Sequence, residues 1–331
     1  MLVRALYVVL TILAALLLLE SALETRDRHH LPMRGELVSV QGRRVHVVEA
    51  GRGHPGPVVL LECGIGGATA ADWAWVERGV AAFARVVAYD RAGLGRSAPG
   101  RPPRDGLRLV EELHATLAAA GIPPPLVFVG HSYGALLARL YADRYPADVC
   151  GVVLLDPSHP RQFQAFGHPR VVHLLSWVLP AAPWAARLGA MRLVLPFLHL
   201  DADLLPPYER AVKRAYMAAG PHWDALVAEM LAWRTRTSPE AAATRGFGDR
   251  PLGVVTAGAS VRGRPAWARL QAETAALSTN GFHVLEPGAT HAGLITDSTH
   301  AAHVVRVIRE VWAAADSARR VAVPAGFAAA P

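Results

Sequence analysis

The segment Gly130-His131-Ser132-Tyr133-Gly134 has the glycine spacing of a sharp turn that presents a serine hydroxyl. The apolar run Leu126–Val129 precedes it and the helical pattern Ala135–Arg144 follows it. In a strand-to-helix bend, side chains at the two glycine positions would collide with neighbouring elements. The N-terminus of the helix also favours developing negative charge. We therefore predict that Ser132 is a nucleophile; the alternative is a serine in an ordinary tight turn.

A serine hydroxyl needs a base to take its proton. His291 follows the predicted strand Phe282–Leu285 through a glycine- and proline-bearing loop, so it is the predicted base. His283 is the rival, but it lies inside the strand. In sheets that carry such a bend the chain order is serine, acid, histidine.

A carboxylate must orient the imidazole and stabilise its charged form. The residues 257–271, after the predicted strand Leu252–Thr256, contain no Asp or Glu, and Glu273 falls inside a predicted helix. Asp156 ends the preceding strand, at the same edge of the sheet as His291. We assign Asp156 as the acid, with Glu273 as the alternative; Asp156 could also be a simple loop cap.

An oxyanion intermediate needs two backbone N–H donors. Tyr133, directly after the nucleophile, supplies one. The loop Cys63-Gly64-Ile65-Gly66-Gly67 follows another buried strand, and its three glycines indicate a backbone that approaches a ligand. Ile65 is the second predicted donor.

The elements that must position these residues alternate between strands and helices. This alternation predicts a doubly wound, mostly parallel, eight-stranded α/β sheet. The predicted strands are Leu37–Val40, Arg44–Glu49, Val58–Glu62, Val86–Tyr89, Leu126–Val129, Gly151–Leu155, Leu252–Thr256 and Phe282–Leu285, with the first two forming an antiparallel hairpin. The predicted helices are Asp72–Phe83, Leu107–Ala120, Ala135–Arg144, Pro265–Leu277 and Thr299–Ala314.

Residues 157–250 separate two strands of this sheet and contain four tryptophans. Prolines interrupt the apolar stretch Val171–Leu200, so it is not one membrane span. We predict a helical cap over the carboxyl edge of the sheet, where sites of such sheets lie. The predicted division is a core of 36–156 and 251–316, the cap 157–250, and a flexible tail 317–331.

The N-terminus begins with an uncharged run, Ala5–Leu19. We predict that residues 1–20 form a membrane anchor that is not cleaved, with 21–35 as a polar linker; a cleaved signal, and thus secretion, is the alternative. The flanking charges favour a catalytic domain outside the cytoplasm.

The charge distribution and the cysteine and histidine spacing predict no nucleic acid, metal or cofactor as a partner. The chain of 331 residues has a net charge of +7, but its arginines are scattered without a basic run, so no nucleic-acid site is predicted. Cys63 and Cys150 are expected to lie about 15 Å apart as free thiols. No spacing typical of a metal site is present, and neither a metal nor a cofactor is predicted.

Together these motifs resemble the α/β-hydrolase superfamily, and within it cap-bearing serine esterases and lipase-like hydrolases, over about residues 36–314. The segment Asp90-Arg91-Ala92-Gly93-Leu94-Gly95-Arg96-Ser97 matches a turn found in many members, in which Asp90 and Ser97 are structural. Two features depart from the family: Cys63-Gly64 stands where His-Gly is usual, and the acid after the penultimate strand is missing.

The resemblance implies hydrolysis of a carboxylic ester, or a similar acyl bond, of a hydrophobic small molecule through an acyl-serine intermediate. Serine-dependent alternatives on this scaffold are lactone, carbon–carbon bond or aminopeptidase hydrolysis and cofactor-free haloperoxidase-like activity. A non-catalytic binding protein is the alternative from another class.

Overall fold

The architecture comes from a computed structural model that describes residues 1–66, 68–165, 177–197, 201–327 and 330. Gly67 of the predicted oxyanion loop lies outside the described residues. So do 166–176 and 198–200 of the predicted cap, and part of the predicted tail.

The core is one sheet of eight strands among the described residues, in the order β1-β2-β4-β3-β5-β6-β7-β8. The hairpin β1–β2 and the pair β2–β4 are antiparallel, and the other pairs are parallel. This confirms the predicted fold class. The strands are β1 Glu36–Val40, β2 Arg43–Ala50, β3 Val58–Glu62, β4 Val86–Tyr89, β5 Leu126–His131, β6 Val149–Leu155, β7 Leu252–Ala257 and β8 Gly281–Glu286.

The central strands are apolar except near their carboxyl ends, because both faces of the sheet are covered. Along β3, Leu60 packs into the core layer on one face, whereas Val59 and Leu61 pack into the layer on the other. This alternation continues on β5, where Phe128 and Val129 point to opposite layers. The strands are thereby fixed in register, and their carboxyl ends meet at one edge.

Helices cover both faces of the sheet and fill the long insertion between β6 and β7. They are α1 Leu2–His30, α2 Ala74–Val80, α3 Gly106–Ala119, α4 Gly134–Arg144, α5 Gln162–Ala165, α6 Ala182–Arg187, α7 Ala190–Val194, α8 Pro207–Ala218, α9 Gly220–Ala232, α10 Ser238–Ala242, α11 Gly258–Val261, α12 Pro265–Ala275, α13 Gly293–Thr296 and α14 Ser298–Asp316.

One predicted helix differs from the structure. Instead of one helix over Asp72–Phe83, a 3₁₀ turn at Ala70–Trp73 leads into α2, which ends at Val80. The reason is a capping box: Thr69 caps the turn and the Asp72 carboxylate accepts from the Thr69 amide at 2.8 Å. The element therefore begins earlier than its apolar pattern indicates.

The N-terminal helix α1 has one stretch long and apolar enough to cross a membrane, with a mean hydropathy of 2.6 over eighteen residues. Length and composition alone carry that finding, and a signal sequence has the same features. The helix runs unbroken to His30, through most of the segment predicted as a linker. Its polar end is held by the insertion, because Glu20 and Asp27 both pair with Arg192.

Candidate active site

The bend between β5 and α4 holds Ser132 in a left-handed backbone conformation, with φ of +53°. Few residues other than glycine adopt this region, and such strain clusters at functional sites. A Cβ atom on Gly130 would lie 2.6 Å from the Gly134 carbonyl oxygen, and one on Gly134 would lie 2.5 Å from the Glu62 carbonyl oxygen. The bend therefore requires both glycines for steric reasons.

His291 and Asp156 lie together at the carboxyl edge of the sheet. The His291 Nδ1 is 2.5 Å from the Asp156 Oδ2. Asp156 is completely buried and has a φ of +40°, so it stands in a bend of its own at the end of β6. His291 is largely exposed.

The two rival residues are engaged elsewhere. The His283 Nε2 lies 2.8 Å from the Thr256 hydroxyl within the sheet. Glu273 pairs with Arg161 and lies 3.4 Å from the His159 Nε2. Neither contacts the pair formed by His291 and Asp156 through a hydrogen bond in the described part of the chain.

The backbone of Ser132 is hydrogen-bonded to residues that flank Asp156 in the chain. Its amide donates to the Leu155 carbonyl at 3.0 Å, directly before Asp156, and its own carbonyl accepts from the Ser158 amide at 3.0 Å. The neighbouring His131 ring is 4.7 Å from the His291 ring, centroid to centroid. Across the described residues, the Ser132 hydroxyl has no hydrogen bond to His291, a looseness common in sites without substrate.

The Asp156 carboxylate is stabilised in its ionised form. Burial opposes ionisation, but the hydrogen bond and charge of His291 and the hydroxyl of Ser260 outweigh it, so the pKa of Asp156 is lower than usual. The Ser260 Oγ donates to the Asp156 Oδ2 at 2.5 Å and the Ala257 amide to the Oδ1 at 3.3 Å. The Ala257 amide is at the end of β7 and Ser260 is in α11, directly after it. The sequence analysis missed both donors because no motif marks them.

The predicted oxyanion loop packs against Ser132. A Cβ on Gly64 would lie 3.1 Å from the Ser132 Cβ. Among the described residues, neither the Ile65 amide nor the Tyr133 amide has a hydrogen-bond acceptor. Two such donors next to a serine could bind an anion.

Cys63, where the family usually has histidine, is fixed by its thiol, which accepts from the Trp73 indole at 3.0 Å and donates to the Thr69 carbonyl at 3.1 Å. Cys63 and Cys150 are both free, as predicted.

Arg91 supports the predicted oxyanion loop through hydrogen bonds to its backbone. The sequence analysis did not single out this residue. Its guanidinium donates to the carbonyls of Cys63 and Gly64, each at 2.9 Å. The buried carboxylates of Glu62 on β3 and Glu229 on α9 each lie 2.8 Å from it. Arg91 therefore connects the oxyanion loop with the helical insertion.

Asp90 and Ser97 shape the turn after β4. The Asp90 carboxylate accepts from the amides of Ala70 and Arg96 at 2.8 and 2.9 Å and lies 2.8 Å from the His46 Nδ1. These contacts agree with the structural role expected for Asp90.

A second cluster of polar groups lies beyond the end of β8. The Nδ1 atoms of His300 and His303 are 2.8 and 2.9 Å from the same Glu286 oxygen. Their spacing is compatible with a metal ion. The hydrogen bonds alone account for the arrangement, because they connect α14 to the last residue of β8.

Comparison with known proteins supports the fold. Residues 56–199 match the family model described as alpha/beta hydrolase fold. YqjL, an uncharacterized protein of Bacillus subtilis (strain 168), is 36% identical over 107 residues, which are 32% of this chain and 42% of the relative. An AB hydrolase superfamily protein of Gibberella zeae is 36% identical over 112 residues, 33% of this chain and 34% of the relative. The chain thus spans less than half the length of these curated relatives.

Solved structures extend the likeness beyond that segment. The crystal structure of DBJA (mutant dbja delta) has a TM-score of 0.67 at 18% identity and covers 86% of this chain and all of its own. At that identity the likeness concerns the fold. The sheet order, the family match and this structural likeness together identify the chain as an α/β-hydrolase-fold protein.

Proposed function

We propose that the chain is a serine hydrolase that cleaves a carboxylic ester, or a similar acyl bond, of a hydrophobic small molecule. The observation that carries the proposal is the His291–Asp156 hydrogen bond of 2.5 Å beside a serine in a left-handed bend. A nucleophile, an oriented imidazole and a buried carboxylate are the groups that acyl transfer needs. The fold alone would not support this choice.

In the proposed first step, the Ser132 oxygen attacks the carbonyl carbon while the His291 Nε2 takes its proton. The carbonyl oxygen becomes an oxyanion bound by the amides of Ile65 and Tyr133. Asp156 stabilises the imidazolium that forms. The bond to the alcohol oxygen then breaks, and His291 returns the proton to the leaving alcohol.

The second step regenerates the enzyme. Water attacks the acyl-serine carbonyl as His291 takes a proton from it, and Ser132 recovers the proton when the acid leaves. The balance requires water alone, so no cofactor enters. A serine at position 132 argues against the epoxide-hydrolase and dehalogenase chemistries of the superfamily, which use aspartate there.

We further propose that residues 157–250 cap the site, with 36–156 and 251–316 as the core, and that residues 1–20 anchor the chain with the catalytic domain outside the cytoplasm. The exposed apolar face of α1 supports the anchor. The anchor is tested by extracting membranes that contain the full chain with alkaline carbonate. Mass spectrometry of the N-terminal peptide then tells whether residues 1–20 are retained. An extracted or shortened protein would contradict it.

The catalytic proposal is tested with a fluorophosphonate that labels activated serines. We expect labelling of the wild type and of Ser158→Ala, a matched control that removes another buried hydroxyl nearby, but none of Ser132→Ala. Absence of labelling in all three proteins would favour a binding protein.

A panel of p-nitrophenyl esters of varied chain length then reports turnover. Asp156→Asn should lower kcat by about four orders of magnitude, because the amide favours the wrong tautomer of the histidine. Full activity of Asp156→Asn would require another acid.

A further inference from the structure

The apolar part of α1 is exposed along its whole length. The most apolar window of eighteen residues has no buried member. Eighteen helical residues span about 27 Å, close to the hydrocarbon thickness of a bilayer. In a membrane, this stretch would end at Glu20, the first charged residue after it.

The end of that stretch is attached to the helical insertion. Glu20 is buried, and its carboxylate lies 2.7 Å from Arg192 of α7. Asp27 lies 2.8 Å from the same guanidinium, and the Glu24 carboxylate accepts from the Gly220 amide at 3.0 Å. α6 also packs against α1. Four contacts spaced along two turns of α1 hold the helix and the insertion as one body.

These contacts set the height of the insertion above a membrane. Because Arg192 meets Glu20, α7 lies at the level where the apolar stretch ends. One helical turn rises about 5.4 Å, so residues next to Arg192 in the chain lie within about one turn of the lipid boundary.

Near Arg192 in the chain, the insertion exposes large apolar side chains. Trp184, Leu193 and Phe197 are 63%, 73% and 82% exposed and lie within eight residues of Arg192. Exposed apolar side chains in such number mark an interaction site. Tryptophan favours the level of the lipid headgroups, where its ring and N–H are both accommodated. We call this surface the cap patch; its members are Trp177, Val178, Trp184, Leu193, Val194 and Phe197.

We propose that the cap patch inserts into the lipid–water interface beside α1, so that the insertion lies partly in the bilayer surface. The occupant is lipid rather than a second protein, because Arg192, next to Leu193 in the chain, binds Glu20 where the apolar segment of α1 ends, and α6, which carries Trp184, packs against α1. The catalytic site beneath the insertion then faces the bilayer surface.

Quenching of tryptophan fluorescence by brominated phosphatidylcholine tests the proposal in the full chain reconstituted into vesicles. Bromine near the headgroup end of the acyl chains should quench part of the wild-type emission more than bromine near the chain ends. The double variant Trp177→Phe, Trp184→Phe should lose this quenching. Trp312→Phe is the matched control, since Trp312 donates to Pro57 before β3, at the opposite edge of the sheet.

A second pair of variants leaves the tryptophans in place. Leu193→Ser with Phe197→Ser should weaken the quenching, whereas Leu107→Ser, at an exposed leucine that begins α3, should leave it unchanged. Unquenched wild-type emission, or equal quenching in the double Trp→Phe variant, would overturn the proposal. Neither readout depends on hydrolysis, so a failed esterase assay leaves the result interpretable.

Discussion

Ser260 provides a direct test of how Asp156, the proposed triad acid, is held. Its hydroxyl donates at 2.5 Å to the Asp156 Oδ2, the oxygen that also contacts the His291 Nδ1. A hydrogen bond to a charged group contributes about 1.5–3 kcal/mol. Ser260→Ala should therefore lower the free energy of unfolding at pH 7 by about that amount.

The same range of about 1.5–3 kcal/mol sets the largest expected fall in kcat. If the whole contribution were also lost from the transition state, kcat would fall about 10- to 150-fold. Asp156 keeps its contacts with the Ala257 amide and His291 in the variant, so we expect a fall near the lower limit. KM should change little because the hydroxyl faces the carboxylate rather than the substrate.

The loss in stability should depend on pH. A carboxylate whose pKa is lowered in the folded state contributes stability that disappears as the pH falls through that pKa. The pKa of Asp156 is lowered, in part by Ser260. The difference between wild type and Ser260→Ala should therefore shrink below about pH 4, the ordinary range of an aspartate.

Ser238→Ala is the matched control, since the Ser238 hydroxyl is buried but has no hydrogen-bond partner among the described residues. Urea unfolding and p-nitrophenyl ester kinetics should leave this variant close to wild type. If Ser260→Ala were indistinguishable from Ser238→Ala in both measurements, the assigned role of Ser260 would be refuted.

Three further predictions concern the predicted oxyanion loop, the support of that loop by Arg91, and the dependence of stability on pH. Gly64→Ala should abolish ester hydrolysis while Tm changes little, because its Cβ would press on Ser132 at 3.1 Å and displace the loop; an active variant would contradict the proposed oxyanion site. Arg91→Met should lower the free energy of unfolding by about 3–5 kcal/mol, since Glu62 would be buried without a cation and Glu229 would keep only the longer contact of 3.4 Å with Arg104; Arg91→Lys, which keeps the charge, should lose less in the same urea titration. Burial lowers the pKa of His222 to about 4, so the folded state binds its proton less readily than the unfolded chain. Stability should thus fall as the pH drops from about 6.5 towards 4, by about 2 kcal/mol at pH 5, and His222→Asn should flatten that dependence in urea titrations at several pH values.

Local patterns in the sequence were sufficient to predict the sheet. The central strands are short apolar runs bounded by glycine, proline or aspartate, so their limits were predicted within one or two residues. Hydrophobic periodicity does not report caps, and the 3₁₀ turn at Ala70–Trp73 was therefore missed. The helical continuation of α1 to His30 was missed for another reason: its charged residues pair with Arg192, far away in the chain.

The residues of the candidate site also fall into those that the sequence could predict and those that it could not. The bend around Ser132 could be predicted from two glycines four positions apart, and the structure brings the predicted Asp156 and His291 into contact. The supporting groups Arg91 and Ser260 come from segments whose proximity depends on the completed fold. An arginine and a serine at these positions do not by themselves indicate that they support the site.

The place of Asp156 at the end of β6 has an evolutionary consequence. Many α/β hydrolases carry the acid after the penultimate strand, where this chain has the Ser260 hydroxyl in contact with Asp156. A mutation to aspartate at 260 would put two carboxyl groups side by side, and one of them would hold a proton at neutral pH. The other would still be charged beside His291. The proposed triad and the layout with the acid after β7 would thus be joined by an intermediate that keeps an ionised acid beside His291.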